Sequence, residues 1–267
     1  GNDWSPCCTF VSVNRKRNIK LLLAFDGTAY AGWQKQKSEK TIQGVIEDRL
    51  HVMTGERTCL HGAGRTDAGV HALGMAANFA TDTEIPCHGL AKGLNSLLPA
   101  DIRVLEATEV EAGFHARRSA RAKTYWYNLT NGPIQLPTER FYCAHVFAEL
   151  DFAAIKSGLA YVAGTHDFQS FEGSGSRDPE LAGRGAVRSI FEAGLETLAP
   201  GRCHRFVITG DGFLRHMVRN IVGTMLEVGR GRLAPTEIAG ILAARDRAAA
   251  GPTAPARGLF LKEVLYG

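Results

Sequence analysis

The sequence predicts an α+β fold, and three observations predict it. Short apolar runs closed by turn residues alternate with helical stretches in no fixed order. The pattern restarts in the second half of the chain. The composition, 45% hydrophobic and 22% charged over 267 residues, is that of a globular protein with room for one large domain or two modest ones.

Residues 1 to 17 read as a loose arm ending in Arg15-Lys16-Arg17. Ile19 to Phe25 is an apolar run stopped by Asp26-Gly27, a strand entering a turn. Thr41 has the hydroxyl to cap a helix whose apolar face is Ile42, Val45, Ile46, Leu50 and Met53, with Gly55 beyond its end. Ala76 to Thr81 and Ile102 to Thr108 read as strands. Thr124 to Leu129 is a strand by its aromatic content, closed by Asn131-Gly132. Asp151 then caps a helix with Phe152, Ile155, Leu159 and Val162 inward and Gly164 as its stop. Val187 to Leu198 and Arg205 to Thr209 read as strands, Leu214 to Val228 as a strongly apolar helix. Pro235-Thr236 opens another helix, and Leu259 to Leu265 is a last strand. Residues 18–112 and 113–267 therefore divide into two halves of similar plan. The stretch from Glu172 to Gly185, rich in Gly and Ser, reads as a mobile loop.

No apolar run approaches the roughly 20 residues of a membrane helix, and Gly1 to Asn14 lacks the apolar core of a secretory signal. The expectation is a cytoplasmic protein. Its six cysteines, Cys7, Cys8, Cys59, Cys87, Cys143 and Cys203, include no C-x-x-C pair, so no metal site is expected. Adjacent Cys7 and Cys8 make a poor clamp, and buried reduced thiols are the reading for the rest. Net charge is +4, which alone decides little. Its distribution says more. Arg117, Arg118, Arg121 and Lys123 form a run without an acid, and Tyr125, Trp126 and Tyr127 follow at once. Cations beside aromatics suit phosphate contact next to base stacking; a solvated strand edge and plain core aromatics fit the same residues.

Two further segments carry chemistry. Gly62 to Ala72 is rich in small residues, so its backbone can turn tightly and approach a ligand. It lacks the lysine of a P-loop, and no cofactor motif appears elsewhere. Arg65 and Asp67, two apart, share a side if the stretch is extended; on spacing alone Asp67-Ala68-Gly69 is either a site or a turn. From Gly212 to Gly223, Arg215 and Arg219 stand one turn apart in a largely apolar helix. Either they form a surface stripe, or one of them pairs with a buried acid, because an unpaired buried guanidinium is costly.

Together, G-R-T-D-A-G-V-H-A, F-H-A-R-x-S-A-x-x-K-x-Y-x-Y and F-L-R-H-M-V-R-N-I-V-G-T-M resemble the TruA family of tRNA pseudouridine synthases. Asp26-Gly27-Thr28 with Gly32-Trp33-Gln34, Gly164 to Phe168, Asn95 to Ile102 and Pro255 to Tyr266 agree, so the likeness runs from about residue 19 onward. Two positions depart from the pattern: Arg118 stands where Phe is usual, and Met75 where Gln is frequent.

The resemblance implies two half-domains of mixed, mainly antiparallel sheet with the active-site cleft between them. It implies Asp67 as the catalytic aspartate, Arg65 as its neighbour at the flipped nucleotide, Tyr125 packed on the uracil, and Arg219 paired with the aspartate. Arg117, Arg118, Arg121, Lys123 and Arg215 are expected against the RNA; His71, His115, His166 and His216 are expected to be structural. The implied substrate is uridine at positions 38 to 40 in the tRNA anticodon arm, bound by a homodimer without metal or cofactor. Asp67 would attack C6, attack C1′ or take the 2′ proton, and each route needs the carboxylate anion. A synthase with another RNA target and a tRNA-binding protein without catalysis are the alternatives.

Overall fold

The computed structural model describes residues 16–173, 184–199 and 201–267. The Cys7-Cys8 pair, nearly all of the expected arm and most of the 172–185 loop lie outside the described residues. The strands are β1 (Arg17–Phe25), β2 (His61–Gly62), β3 (His71–Thr81), β4 (Ile102–Val110), β5 (Ala120–Asn131), β6 (Ala144–Val146), β7 (Gly164–Asp167), β8 (Val187–Ala199), β9 (Cys203–Gly210) and β10 (Leu259–Tyr266). The helices are α1 (Ile42–Thr54), α2 (Cys87–Leu97), α3 (Phe152–Ala160), α4 (Met217–Gly229) and α5 (Glu237–Ala244). The fold is the α+β class that the sequence predicts.

All the strands join one sheet in the order β4-β1-β3-β10-β5-β9-β8-β7, with β2 beside β3 and β6 beside β5. Pairing is antiparallel except where β10 meets β3 and β6 meets β5. Side-chain alternation builds the core. On β1, Ile19, Leu21, Leu23 and Phe25 face inward. On β5, Tyr125, Tyr127 and Leu129 share the buried face, and Trp126 turns to the other, where Arg205 and Lys262 stand 3.8 and 4.9 Å from its ring. Two strands position the site: β3 begins directly after the Asp67 loop, and β5 carries Tyr125. They are not neighbours. Strand β10 lies between them, parallel to β3 through Phe260 and Leu261 and antiparallel to β5.

Helix α1 forms as its end signals dictate. The Thr41 side chain accepts from Gly44 N, and Gly55 ends the helix at φ 75°. Helix α4 is buried almost all round, from Met217 to Gly229, and packs on α3.

The structure corrects the sequence reading at several points. Helix α2 was not expected. Leu90 and Leu94, one turn apart, form a short apolar face, but Pro86 at its start offers no side-chain cap, so no capping signal announces it. Helix α3 ends at Tyr161, and Gly164, at φ 105°, opens β7. Helix α4 starts at Met217, not Leu214, because His216 takes a left-handed conformation at φ 60° that no helix continues through. The cysteines are not uniformly buried: Cys59 is exposed, and Cys87, Cys143 and Cys203 are partly so. Met75 is fully buried on β3, where an apolar side chain fits the core.

Candidate active site

The segment from Ala63 to Val70 leaves the sheet as a loop, and two turns clamp it. Trp33 N donates to Thr66 O at 3.0 Å, and Val70 N donates back to Asp67 O at 3.1 Å. Two glycines make the clamp possible. Gly32 sits at φ 92°, and a β-carbon there would stand 2.5 Å from Thr66 O. A β-carbon on Gly27 would stand 2.0 Å from Val70 O. Only glycine lets backbone approach backbone this closely. Buried His71 completes the anchor, its Nδ1 3.2 Å from Gly27 N and its Nε2 3.0 Å from Phe141 O.

The loop presents Asp67 to the start of α4. Arg219 Nη1 donates to Asp67 Oδ2 at 2.9 Å, and Arg219 Nε donates to Ala254 O at 2.8 Å. Ala254 N in turn donates to Arg219 O at 3.1 Å. Of the two readings of the arginines, the ion pair is the one that forms, and there is no stripe: Arg215 lies in the turn before α4, exposed. His216 Nε2 lies 3.4 Å from the same Oδ2. Both contacts fall on one carboxylate oxygen. Among the described residues Oδ1 has no protein partner, so it is the oxygen left to meet a ligand.

Tyr125 lines the same space. Its ring meets Phe213 edge-on, centroids 4.9 Å apart. Burial first, and then the charge of Asp67, push its phenol well above the ordinary tyrosine range. It stays a neutral hydroxyl at any working pH. Tyr127, two residues on, is core, with its hydroxyl on Pro255 O at 2.9 Å.

The remaining candidates divide. Arg65 is exposed and makes no ion pair among the described residues. In the basic run, Lys123 points over Gly64 of the Asp67 loop, its Nζ 3.6 Å from where a β-carbon would stand. Arg117 is half-buried and carries one of the charges that act on Lys123. Arg118 is exposed, and Arg121 packs against Gly267 at the far end of β10.

The sequence reading set aside His216, which the structure puts beside Asp67. Burial outweighs the pull of Asp67 and holds its pKa below the ordinary histidine value; Arg219, Arg215 and Arg247 add to the fall. The ring is neutral near pH 7, and in its Nε2–H form can donate to the carboxylate. No residue-type rule would have found it, since its place depends on a positive φ.

A sequence profile of the family described as tRNA pseudouridine synthase matches residues 22–117 and 159–267. The chain is 51% identical over 251 residues to tRNA pseudouridine synthase A 1 of Desulfotalea psychrophila, covering 94% of this chain and 100% of that protein. It is 46% identical over 250 residues to tRNA pseudouridine synthase A of Acetivibrio thermocellus and 42% over 253 residues to that of a Thermoanaerobacter species, each covering 94% of this chain and 100% of the relative.

Two predictions follow from the geometry. Gly32→Ala forces a β-carbon onto Thr66 O in a left-handed backbone, at a cost of about 1–3 kcal/mol; chemical denaturation reads it, and an unchanged midpoint means that the loop is not held there. His216→Asn keeps the backbone, since Asn tolerates positive φ, but withdraws the ring from Asp67. The expected result is an unchanged melting temperature with turnover lowered about two- to fivefold, the worth of one polar contact of up to about 1 kcal/mol; equal turnover would make His216 purely structural. With a clamped carboxylate, its guanidinium partner and a buried tyrosine on one cleft, and with these relatives along nearly its whole length, the chain belongs to the TruA family of tRNA pseudouridine synthases.

Proposed function

We propose that this protein is an isomerase that converts uridine to pseudouridine in the anticodon arm of tRNA, at positions 38 to 40, working in the cytoplasm as a homodimer. The position within tRNA and the dimer rest on family resemblance. The observation that carries the reaction is the Asp67 carboxylate, with Oδ2 held by Arg219 and Tyr125 near enough to feel its charge. No helix among the described residues is long and apolar enough to cross a membrane.

The isomerisation breaks N1–C1′, turns the base and joins C5 to C1′; C5 loses a proton and N1 gains one. Nothing is oxidised and no group enters or leaves. A uridine in a folded arm is stacked, so it must first be flipped out, at a cost of a few kcal/mol. Packing on the Tyr125 ring returns roughly 1–3 kcal/mol of that. Attack at C6, attack at C1′ and removal of the 2′ proton all begin from the carboxylate anion that Arg219 balances. Arg219 also fixes the direction of attack, because it occupies one oxygen and leaves the other. The neutral His216 ring, its Nε2 3.4 Å from the same oxygen as Arg219, packs against that side of the carboxylate and steadies its orientation. Neutral Tyr125 supplies a flat apolar face and one hydroxyl. Arg65, exposed on the loop two residues from Asp67, stands near the flipped nucleotide. Arg117, Arg118, Arg121, Lys123 and Arg215 contact the RNA backbone.

The first test is incubation with unmodified tRNA transcripts and site-resolved mapping of pseudouridine, with Asp67→Ala alongside. We expect product at 38 to 40 from the native protein and none from the variant, which still binds tRNA. Product at other positions overturns the target, and turnover by Asp67→Ala overturns the assignment of the carboxylate. Tyr125→Phe keeps the ring and loses the hydroxyl; turnover should fall about tenfold, one hydrogen bond to a reacting group, with tRNA affinity unchanged. A native rate in that variant confines Tyr125 to stacking.

A further inference from the structure

The Arg219 guanidinium is held at two points. Nη1 donates to Asp67 Oδ2 and Nε to Ala254 O. The group is a rigid planar fork, so it cannot turn at one point and keep its aim at the other. Ala254 lies in residues 251–255, which form neither helix nor strand. The place of its carbonyl is therefore set by whatever fastens that stretch.

Side chains of α4 fasten it. Thr253 Oγ1 donates to Asn220 Oδ1 at 2.6 Å, and Gly251 N donates to Thr224 Oγ1 at 2.9 Å. Arg247 braces the same stretch, with Nη1 on Ala250 O at 3.2 Å and Nη2 shared between Asn220 Oδ1 and Thr253 Oγ1 at 3.1 and 3.2 Å. Asn220 is wholly buried, and its Nδ2 donates to Phe171 O at 2.8 Å. A carbonyl only accepts and a guanidinium only donates, so Phe171 and Arg247 allow the amide one orientation. The Thr253 hydroxyl meets the oxygen of that amide and must be the donor. Residues 219 and 220 of α4 thus meet residues 254 and 253 of the stretch as two adjacent links, one through Arg219 and one through Asn220.

Resting on the role proposed above for Asp67, we infer that Asn220 and Thr253 are positioning residues for the isomerisation. Their hydrogen bond seats Ala254 O, that carbonyl sets the plane of the Arg219 guanidinium, and the guanidinium aims the Asp67 carboxylate. Neither residue has to touch the uridine. A carboxylate that swings carries the same charge as one held still but spends less time in the reactive direction, so loss of the seat slows the chemical step and leaves RNA binding alone. Asn220 cannot be emptied safely, because Phe171 O would be left buried without a donor. Thr253 can be changed, because it is exposed.

The experiment compares native protein, Thr253→Val and Thr253→Ser as full chains, with Asp67→Ala alongside. Valine keeps the shape of threonine without the hydroxyl; serine keeps the hydroxyl. Three quantities are read well below each melting temperature. They are the single-turnover rate on unmodified tRNA transcript, the affinity for that transcript, and the solvent exchange of the Arg219 Nε–H. Its signal is identified by its absence from the proton–nitrogen spectrum of Arg219→Lys. In Thr253→Val we expect turnover to fall about fivefold and the Nε–H to exchange about fivefold faster, the worth of one neutral hydrogen bond. Affinity should stay native, and Thr253→Ser should restore both rates. A Thr253→Val that turns over at the native rate beside a silent Asp67→Ala overturns this inference alone. So does slowed turnover with native Nε–H exchange, or a serine that does not rescue. Turnover by Asp67→Ala overturns the role of the carboxylate instead, and the Nε–H exchange still decides whether Thr253 seats the guanidinium.

Discussion

Arg219 ties together three stretches of chain that are remote in sequence. Its guanidinium holds the loop carrying Asp67 and the carbonyl of Ala254, and its own carbonyl takes the amide of Ala254. Everything else at the site is arranged around that junction. Helix α4 supplies a rigid, buried base for the arginine. The turns at Gly27 and Gly32 press the Asp67 loop toward it. Segment 252–258 leads from the junction into β10, the strand that separates β3 from β5. A single residue is therefore both the partner of the Asp67 carboxylate and a structural bolt, and the two roles share one guanidinium.

The charge around Asp67 is lopsided. One carboxylate faces a guanidinium and a neutral imidazole, and Lys123 stands over Gly64 of the same loop. The left-handed backbone at His216 is a local cost carried at the same place. The buried α4 and the long strands of the sheet offset that cost.

Much of this was legible in the sequence, and the remainder was hidden for identifiable reasons. The ends of α1 were readable because Thr41 and Gly55 act locally. The alternate facing of Tyr125, Trp126 and Tyr127 followed from strand geometry. Asp67 and Arg219 could each be suspected, but residue chemistry alone left a turn and a surface stripe open, and only the ordered set of motifs joined the two. Helix α2 stayed invisible because it buries two side chains and has no cap. The closeness of His216 to Asp67 was hidden because a backbone torsion, not its type or spacing, brings it there. The basic run looked uniform along the chain, yet β5 turns Lys123 inward while Arg118 and Arg121 stay outside.

The placement of β10 bears on how the chain can acquire this shape. It follows the nine other strands in order, yet it sits in the middle of the sheet. Until it arrives, β3 and β5 each present an open edge, the kind of surface to which a stray strand adds. The sheet cannot be zipped from one side to the other; it is closed by a keystone inserted late. Such long-range pairing is slow to form, and half-built forms with unpaired edges are prone to association. The Asp67 loop and Tyr125, carried on the two neighbours of that keystone, are brought into register only when it is in place.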